Sequence, residues 1–128
     1  MDKKIIMIVD DADEIRMEIK ALLESHDFFV RDFSSSKKAA DYLKNHEEDI
    51  SLFIFDYHMP VMNGLELCDY VRNDPNYKGT PIFMLTTERN ADLMKKGKEQ
   101  YRARWLVKPL NPPILIKHIS SLTNLGIN

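Results

Sequence analysis

The chain has 128 residues, a formal net charge of −2, 44% hydrophobic residues and 30% charged residues. That length fits one domain, which buries roughly two-thirds of its unfolded surface and needs no covalent staple. The near-neutral balance gives no electrostatic reason for nucleic acid or an anionic membrane as partner, and the single cysteine, Cys68, excludes an internal disulfide.

A lone thiol suits a reducing compartment. No stretch approaches the ~20 apolar residues of a membrane span. The apolar run behind Met1-Asp2-Lys3-Lys4 is too short for a secretory signal and stops at Asp10-Asp11. A soluble, cytoplasmic protein is expected.

Ile5 to Val9 is a continuous apolar run, the pattern of a strand covered on both faces. Asp13 to Ser25 sets Ile15, Ile19, Leu22 and Leu23 on one helical face, with Asp13 as the expected N-cap. Phe28 to Phe33 reads as a strand with a more polar outer part. Ser34-Ser35-Ser36 supplies a turn and a cap, and Lys37 to His46 a helix with Ala39, Ala40 and Leu43 inward. Ser51 to Phe55 is the third strand. Tyr57 to Asn63, with Pro60, is a loop, and Gly64 opens a helix to Asn73 whose apolar positions are Leu65, Leu67, Cys68 and Val71. Asp74 to Pro81 is a loop and Ile82 to Leu85 a fourth strand. Asn90 to Gln100 reads as a strongly charged helix interrupted by Gly97, and Trp105 to Val107 as a short fifth strand. Asn111 caps a last helix with Pro112 and Pro113 in its first turn, where a missing N–H costs little, and Leu115, Ile119 and Leu122 line its inner face.

Alternating strands and helices imply an α/β architecture, a parallel sheet with helices on both faces. Right-handed crossovers bring every strand's carboxyl end to one edge. Four of those ends carry reactive side chains: Asp10-Asp11, Asp56, Thr86 and Lys108. In open sheets of this kind the ligand crevice lies at that edge, so these residues are expected to converge. Three clustered carboxylates repel, and an oxygen-only donor set favours Mg²⁺ over zinc. A carboxylate can act as nucleophile and become an acyl phosphate. Phosphoryl transfer is catalysed mainly by positioning and charge neutralisation, which a cation, the Lys108 ammonium and the Thr86 hydroxyl can share. No paired base for a Ser or Cys nucleophile is evident, and no Gly-rich loop for a nucleotide. Singly, each of these residues has an ordinary explanation as turn, cap or surface side chain. Agreement at four strand ends does not.

Four motifs carry a family resemblance: Ile8-Val9-Asp10-Asp11, Phe55 to Gly64 around Asp56, Leu85-Thr86-Thr87-Glu88, and Leu106-Val107-Lys108-Pro109. In this order and spacing the chain, from Lys4 to Leu122, resembles a response-regulator receiver domain, and more narrowly the stand-alone CheY-like regulators of chemotaxis. The resemblance implies a flavodoxin-like doubly wound sheet of five parallel strands in the order 2-1-3-4-5, and one receiver domain over residues 1–128 with no output domain. It implies that Asp56 is the phosphoacceptor in a two-component system. Mg²⁺ would be held by Asp11 and Asp56 directly, by Asp10 through water, and by the backbone carbonyl of His58. Thr86 would bind the phosphoryl group and switch, Lys108 would pair with a phosphoryl oxygen, the Lys108–Pro109 bond would be cis, and Trp105 would be the aromatic switch that turns inward.

His58 and Glu88, each two residues beyond a site residue, occupy positions that tune water access to the acyl phosphate, and Thr87 fills a position that is usually smaller. The implied partners are a CheA-like sensor histidine kinase as phosphodonor, a flagellar switch protein or other output protein on the face of the fourth helix, fifth strand and fifth helix, and a phosphatase. The chain departs from the family at Gln100-Tyr101-Arg102-Ala103-Arg104, where a small turn is common. With Lys95, Lys96 and Lys98 this stretch makes a basic patch beside the output face. Three alternatives stand beside motor control: a phosphate sink or phosphorelay shuttle, a flavodoxin-like cofactor binder, and a Mg²⁺-dependent phosphohydrolase. The second lacks a phosphate-cradling loop, and the third lacks a second carboxylate at position 58.

Overall fold

The apolar runs form five strands, β1 (Ile5–Val9), β2 (Phe29–Phe33), β3 (Ile50–Phe55), β4 (Ile82–Thr86) and β5 (Ala103–Val107). Between and after them lie five helices, α1 (Asp13–Ser25), α2 (Ser36–Asn45), α3 (Gly64–Arg72), α4 (Ala91–Tyr101) and α5 (Pro112–Ser120). The computed structural model describes residues 3–46 and 48–122; Met1 and Asp2, part of the N-terminal segment weighed above, lie outside them. All strand pairs are parallel and the order is β2-β1-β3-β4-β5, as the resemblance implied.

Alternation along each strand sorts the core into two layers. Met7, Val9, Phe53, Phe55, Ile82 and Met84 face one side, where they pack with Ala39, Leu43, Leu67 and Val71 of α2 and α3. Ile6, Ile8, Leu52, Ile54, Phe83 and Leu85 face the other, against Ile19 and Leu23 of α1 and Leu115 and Ile119 of α5. Leu122 packs at the margin of this second layer. Every residue of β3 is buried, which explains its nearly unbroken apolar run, interrupted by Ser51 alone. Cys68 is buried in the first layer, and burial pushes its thiol up to about 12, so it is inert packing.

Local chemistry sets the helix ends. Ser35 accepts from the Lys38 N–H, Asn63 and Glu66 form a reciprocal capping box, and Asn90 and Asn111 cap α4 and α5. Three expectations are corrected. Asp13 is not the N-cap of α1: Ala12 holds that place, and Asp13 opens the helix and pairs with Arg16 at 2.8 Å. Gly97 does not interrupt α4. The helix runs through it because the glycine is packed against Trp105, where a Cβ would stand 3.1 Å from the indole ring. The fifth strand starts at Ala103 rather than Trp105: Tyr101 ends α4 in the core, Arg102 reverses the chain at φ 57°, and Ala103-Arg104 already belong to β5. The loop before β4 contains one 3-10 turn, Pro75–Tyr77, that buries Tyr77.

Candidate functional site

The hydrogen-bond ladder runs one residue past β1 and β3. The Asp10 N–H donates to the Phe33 carbonyl at 3.1 Å and the Asp56 N–H to the Val9 carbonyl at 3.0 Å. Two acidic residues are thereby fixed side by side at the carboxyl edge, both buried. With the exposed Asp11 they place carboxylate oxygens within 4.8 Å of one another. Charges this close repel strongly in a half-dry crevice. Lys108 offsets part of that: its Nζ lies 2.8 Å from Asp10 Oδ2 and 3.7 Å from Asp56 Oδ2. Its own N–H is tied to the Thr86 carbonyl at 2.8 Å, and the Lys108–Pro109 bond is cis.

The donor set is oxygen only, with no imidazole or thiolate in the cluster, which fits a hard divalent cation such as Mg²⁺. Asp11, Tyr57, His58, Met59, Pro60 and Asn63 line an open cleft of about 370 Å³ beside the carboxylates, so the backbone at position 58 lies next to Asp11. The His58 N–H points at Asp56 Oδ1, at 3.4 Å. Gly64 must be glycine because a Cβ would meet the Asp56 carbonyl oxygen at 2.4 Å.

One residue that sequence reasoning missed braces the acidic loop. Arg16 Nη1 donates to the Asp10 carbonyl at 2.8 Å, Nε to Asp32 Oδ2 at 3.0 Å, and Nη2 to Asp13 Oδ1 at 2.8 Å. Asp32 is held a second time by Lys20 at 3.1 Å. Burial opposes the Asp32 charge, but the hydrogen bonds from Lys20 and Arg16 prevail and keep its carboxyl below the usual range. Sequence offered no signal for this brace, since Arg16 and Asp32 sit on different elements that meet only in the fold.

The opposite wall is tied more lightly. Thr86 is fully buried, and its hydroxyl oxygen accepts from the Glu88 N–H at 3.3 Å. Glu88 reaches across the mouth to His58, Oε1 to Nε2 3.1 Å, so the two expected tuning positions face each other. The half-buried Trp105 already points inward: its Nε1–H donates to the Glu88 carbonyl at 2.9 Å, and its ring lies 6.2 Å from that of Tyr57. Thr87 stands apart from this wall. It is exposed and lines a groove with Ile15, Ile19 and Leu115 toward α1 and α5.

A parallel five-stranded sheet with an acidic crevice at its carboxyl edge, a lysine on the last strand's end and a threonine on the fourth defines a class. Residues 6–120 match the response regulator receiver domain family, and the chain belongs to it. Among curated relatives it is similar to the chemotaxis protein CheY homolog of Campylobacter jejuni, 34% identical over 127 residues covering 94% of this chain and 93% of that protein. Among solved structures it is similar to chemotaxis protein CheY4 of Vibrio cholerae, with a TM-score of 0.85, 32% identity, and coverage of 94% of this chain and 98% of that one. The receiver domain of a sensor histidine kinase from Pseudomonas aeruginosa shares the fold, with a TM-score of 0.81 at 20% identity and coverage of 94% and 97%. That structure holds a magnesium ion coordinated in its active-site cleft.

Proposed function

We propose that this CheY-like receiver is a phosphorylation switch in which Asp56 takes a phosphoryl group from the phosphohistidine of a sensor kinase. An Asp56 carboxylate oxygen forms the new bond to phosphorus while the bond to the histidine nitrogen breaks, leaving an acyl phosphate. The observation that carries this reading is the convergence of Asp10, Asp11 and Asp56 oxygens within 4.8 Å under the Lys108 ammonium. Asp10, Asp11, Asp56 and the His58 carbonyl would hold Mg²⁺, which supplies charge neutralisation at the transferring oxygens. Lys108 pairs with one phosphoryl oxygen, and the Thr86 hydroxyl, released from the Glu88 N–H, donates to another. That release breaks the only hydrogen bond drawn to the Thr86 hydroxyl oxygen among the described residues and loosens the loop whose Glu88 carbonyl holds Trp105. The altered population is read on the face of α4, β5 and α5.

On that face a groove beside Trp105 is lined by Lys95, Lys98, Arg102 and Arg104, with Glu99 the one acid in its lining, so its reader presents acidic groups. The similarity to CheY proteins supports a flagellar switch protein as that reader, a CheA-like kinase as donor, a phosphatase that ends the signal, and a cytoplasmic setting. The chain is then a signalling module that catalyses only its own phosphorylation and dephosphorylation.

Intact mass after incubation with Mg²⁺ and the small phosphodonor acetyl phosphate tests the chemistry. A single phosphoryl adduct is expected on the wild type, absent without Mg²⁺ and absent from Asp56→Asn. An adduct that survives in Asp56→Asn would sink the assignment. A phosphate sink or relay shuttle shares this chemistry and is separated by partner binding, since a sink has no partner that prefers the phosphorylated form.

A further inference from the structure

On the other side of α4 from the basic face lies a second groove, of opposite character and unused by the reading above. It is an open channel of about 930 Å³ between α3 and α4. Its apolar lining includes Tyr57, Val61, Met62, Leu65, Leu93 and Tyr101. Val61 is 91% exposed, the most exposed large apolar side chain among the described residues. It also sits at φ 71°, in a tight turn where the Met62 N–H donates to the Pro60 carbonyl at 2.8 Å, a conformation costly for a β-branched residue. Leaving a methyl pair in water on a strained turn gains nothing for the isolated chain.

The polar lining is strongly biased in sign. Glu66 and Asp69 on α3 and Asp74 just beyond its end stand against Lys96 alone on the α4 wall. Each acid accepts only neutral hydrogen bonds: Glu66 from the Asn63 N–H, Asp69 from Tyr101 and Asn73, Asp74 from the Asn76 N–H. Among the described residues none has a cation within ion-pair distance. The three are too dispersed to hold a metal, for the only close carboxylate cluster among the described residues is Asp10, Asp11 and Asp56. Nucleic acid and anionic lipid are repelled by the same wall.

We propose that the α3–α4 groove is a docking surface for a segment of another protein that carries an aliphatic or aromatic anchor flanked by Lys or Arg. The anchor covers Val61 and Leu93, and the basic groups meet Glu66, Asp69 and Asp74. Helix α4 then divides two surfaces of opposite sign, so the segment held here differs in chemistry from the reader of the Lys95–Arg104 face. Tyr57 joins the groove to the acidic site, since it follows Asp56 in the chain and its ring packs on His58 and Trp105, at 5.0 Å and 6.2 Å. Occupancy is therefore coupled to the state of that site, and the coupling acts in both directions.

The test is selection of phage-displayed random peptides of about twelve residues on the immobilised full chain, followed by amide chemical-shift mapping of the enriched peptide. Enriched sequences are expected to carry an apolar anchor with Lys or Arg and to shift the amides of Val61, Leu65, Glu66, Asp69 and Leu93. Two variants retain the local structure. Glu66→Gln keeps the capping box and Asp74→Asn keeps the turn cap, so the double variant removes charge alone and is expected to weaken binding at least about fivefold. Val61→Gly is expected to weaken binding by a similar factor while the chain becomes no less stable, which separates an anchor from a structural residue. Acidic binders, a footprint confined to the Lys95–Arg104 face, no enrichment at all, or sedimentation showing the groove filled by a second copy of the chain would each overturn the proposal.

Discussion

The two walls of the acidic crevice are built differently. On the α1 side, Asp10 is held by its backbone, by Lys108 and through Arg16, and Arg16 is itself tied to Asp13 and Asp32. Most of these contacts are charged and they support one another, so they hold Asp10 in one arrangement. On the α4 side, Thr86, Glu88, His58 and Trp105 are joined by single hydrogen bonds and one partly exposed His58–Glu88 contact. Each is worth little, so this wall can exchange arrangements at small cost. A fixed wall beside a loose one suits the proposed switch, in which the first would hold the chemistry in place and the second would report it.

Breaking the fixed wall has the largest expected effect. Arg16→Ala should weaken Mg²⁺ binding about tenfold by calorimetry, as loss of an outer-shell partner does. It should also cost about 2 kcal/mol of stability in urea unfolding, because Asp32 keeps only Lys20. Arg16→Lys should recover part of the stability but less of the metal affinity, since one ammonium cannot reach three acceptors. Unchanged Mg²⁺ affinity in Arg16→Ala would reduce the brace to a purely structural role.

The same wall should be visible in acid. The Asp32 carboxyl titrates lower in the folded chain than in the unfolded one. Its contribution is therefore complete above the unfolded value near pH ~4 and is lost as pH falls through the folded value. Asp32→Asn should be less stable than wild type near neutral pH, and the two unfolding curves should converge as the medium is acidified. A gap that stays constant with pH would contradict the assignment.

Changes on the loose wall should be smaller in stability and larger in dynamics. Gly97→Ala puts a methyl 3.1 Å from the Trp105 ring, so it should shift the indole fluorescence and weaken the bond to the Glu88 carbonyl, with a stability loss of about 1 kcal/mol. Smallest of all, His58→Ala and Glu88→Ala should each change stability by less than about 0.5 kcal/mol, since the pair is half in water. Neither should alter Mg²⁺ binding, yet both should change the rate of dephosphorylation, because the pair spans the mouth through which water reaches Asp56. Phosphoryl decay identical to wild type in both variants would remove them from the set of tuning residues.

Local pattern determined much of this protein. Continuous apolar runs announce β1, β3 and β4 because strands covered on both faces have no solvent side to mark. Asn111 announces a helix start because it can satisfy an orphan N–H within its own turn, and Asn63 and Asn90 cap their helices in the same way. The acidic pair, Asp56, Thr86 and Lys108 were legible as a set because topology sends every strand's carboxyl end to one edge, so sequence position alone placed them together. The tertiary structure decided what depends on neighbours distant in the chain. Gly97 is helical because Trp105 covers it, Arg16 matters because Asp32 and the Asp10 carbonyl meet its guanidinium, and the basic run at 100–104 divides between core, turn and strand according to what packs on each residue. Propensity and capping act within a few residues, whereas contact partners are set by how the layers close.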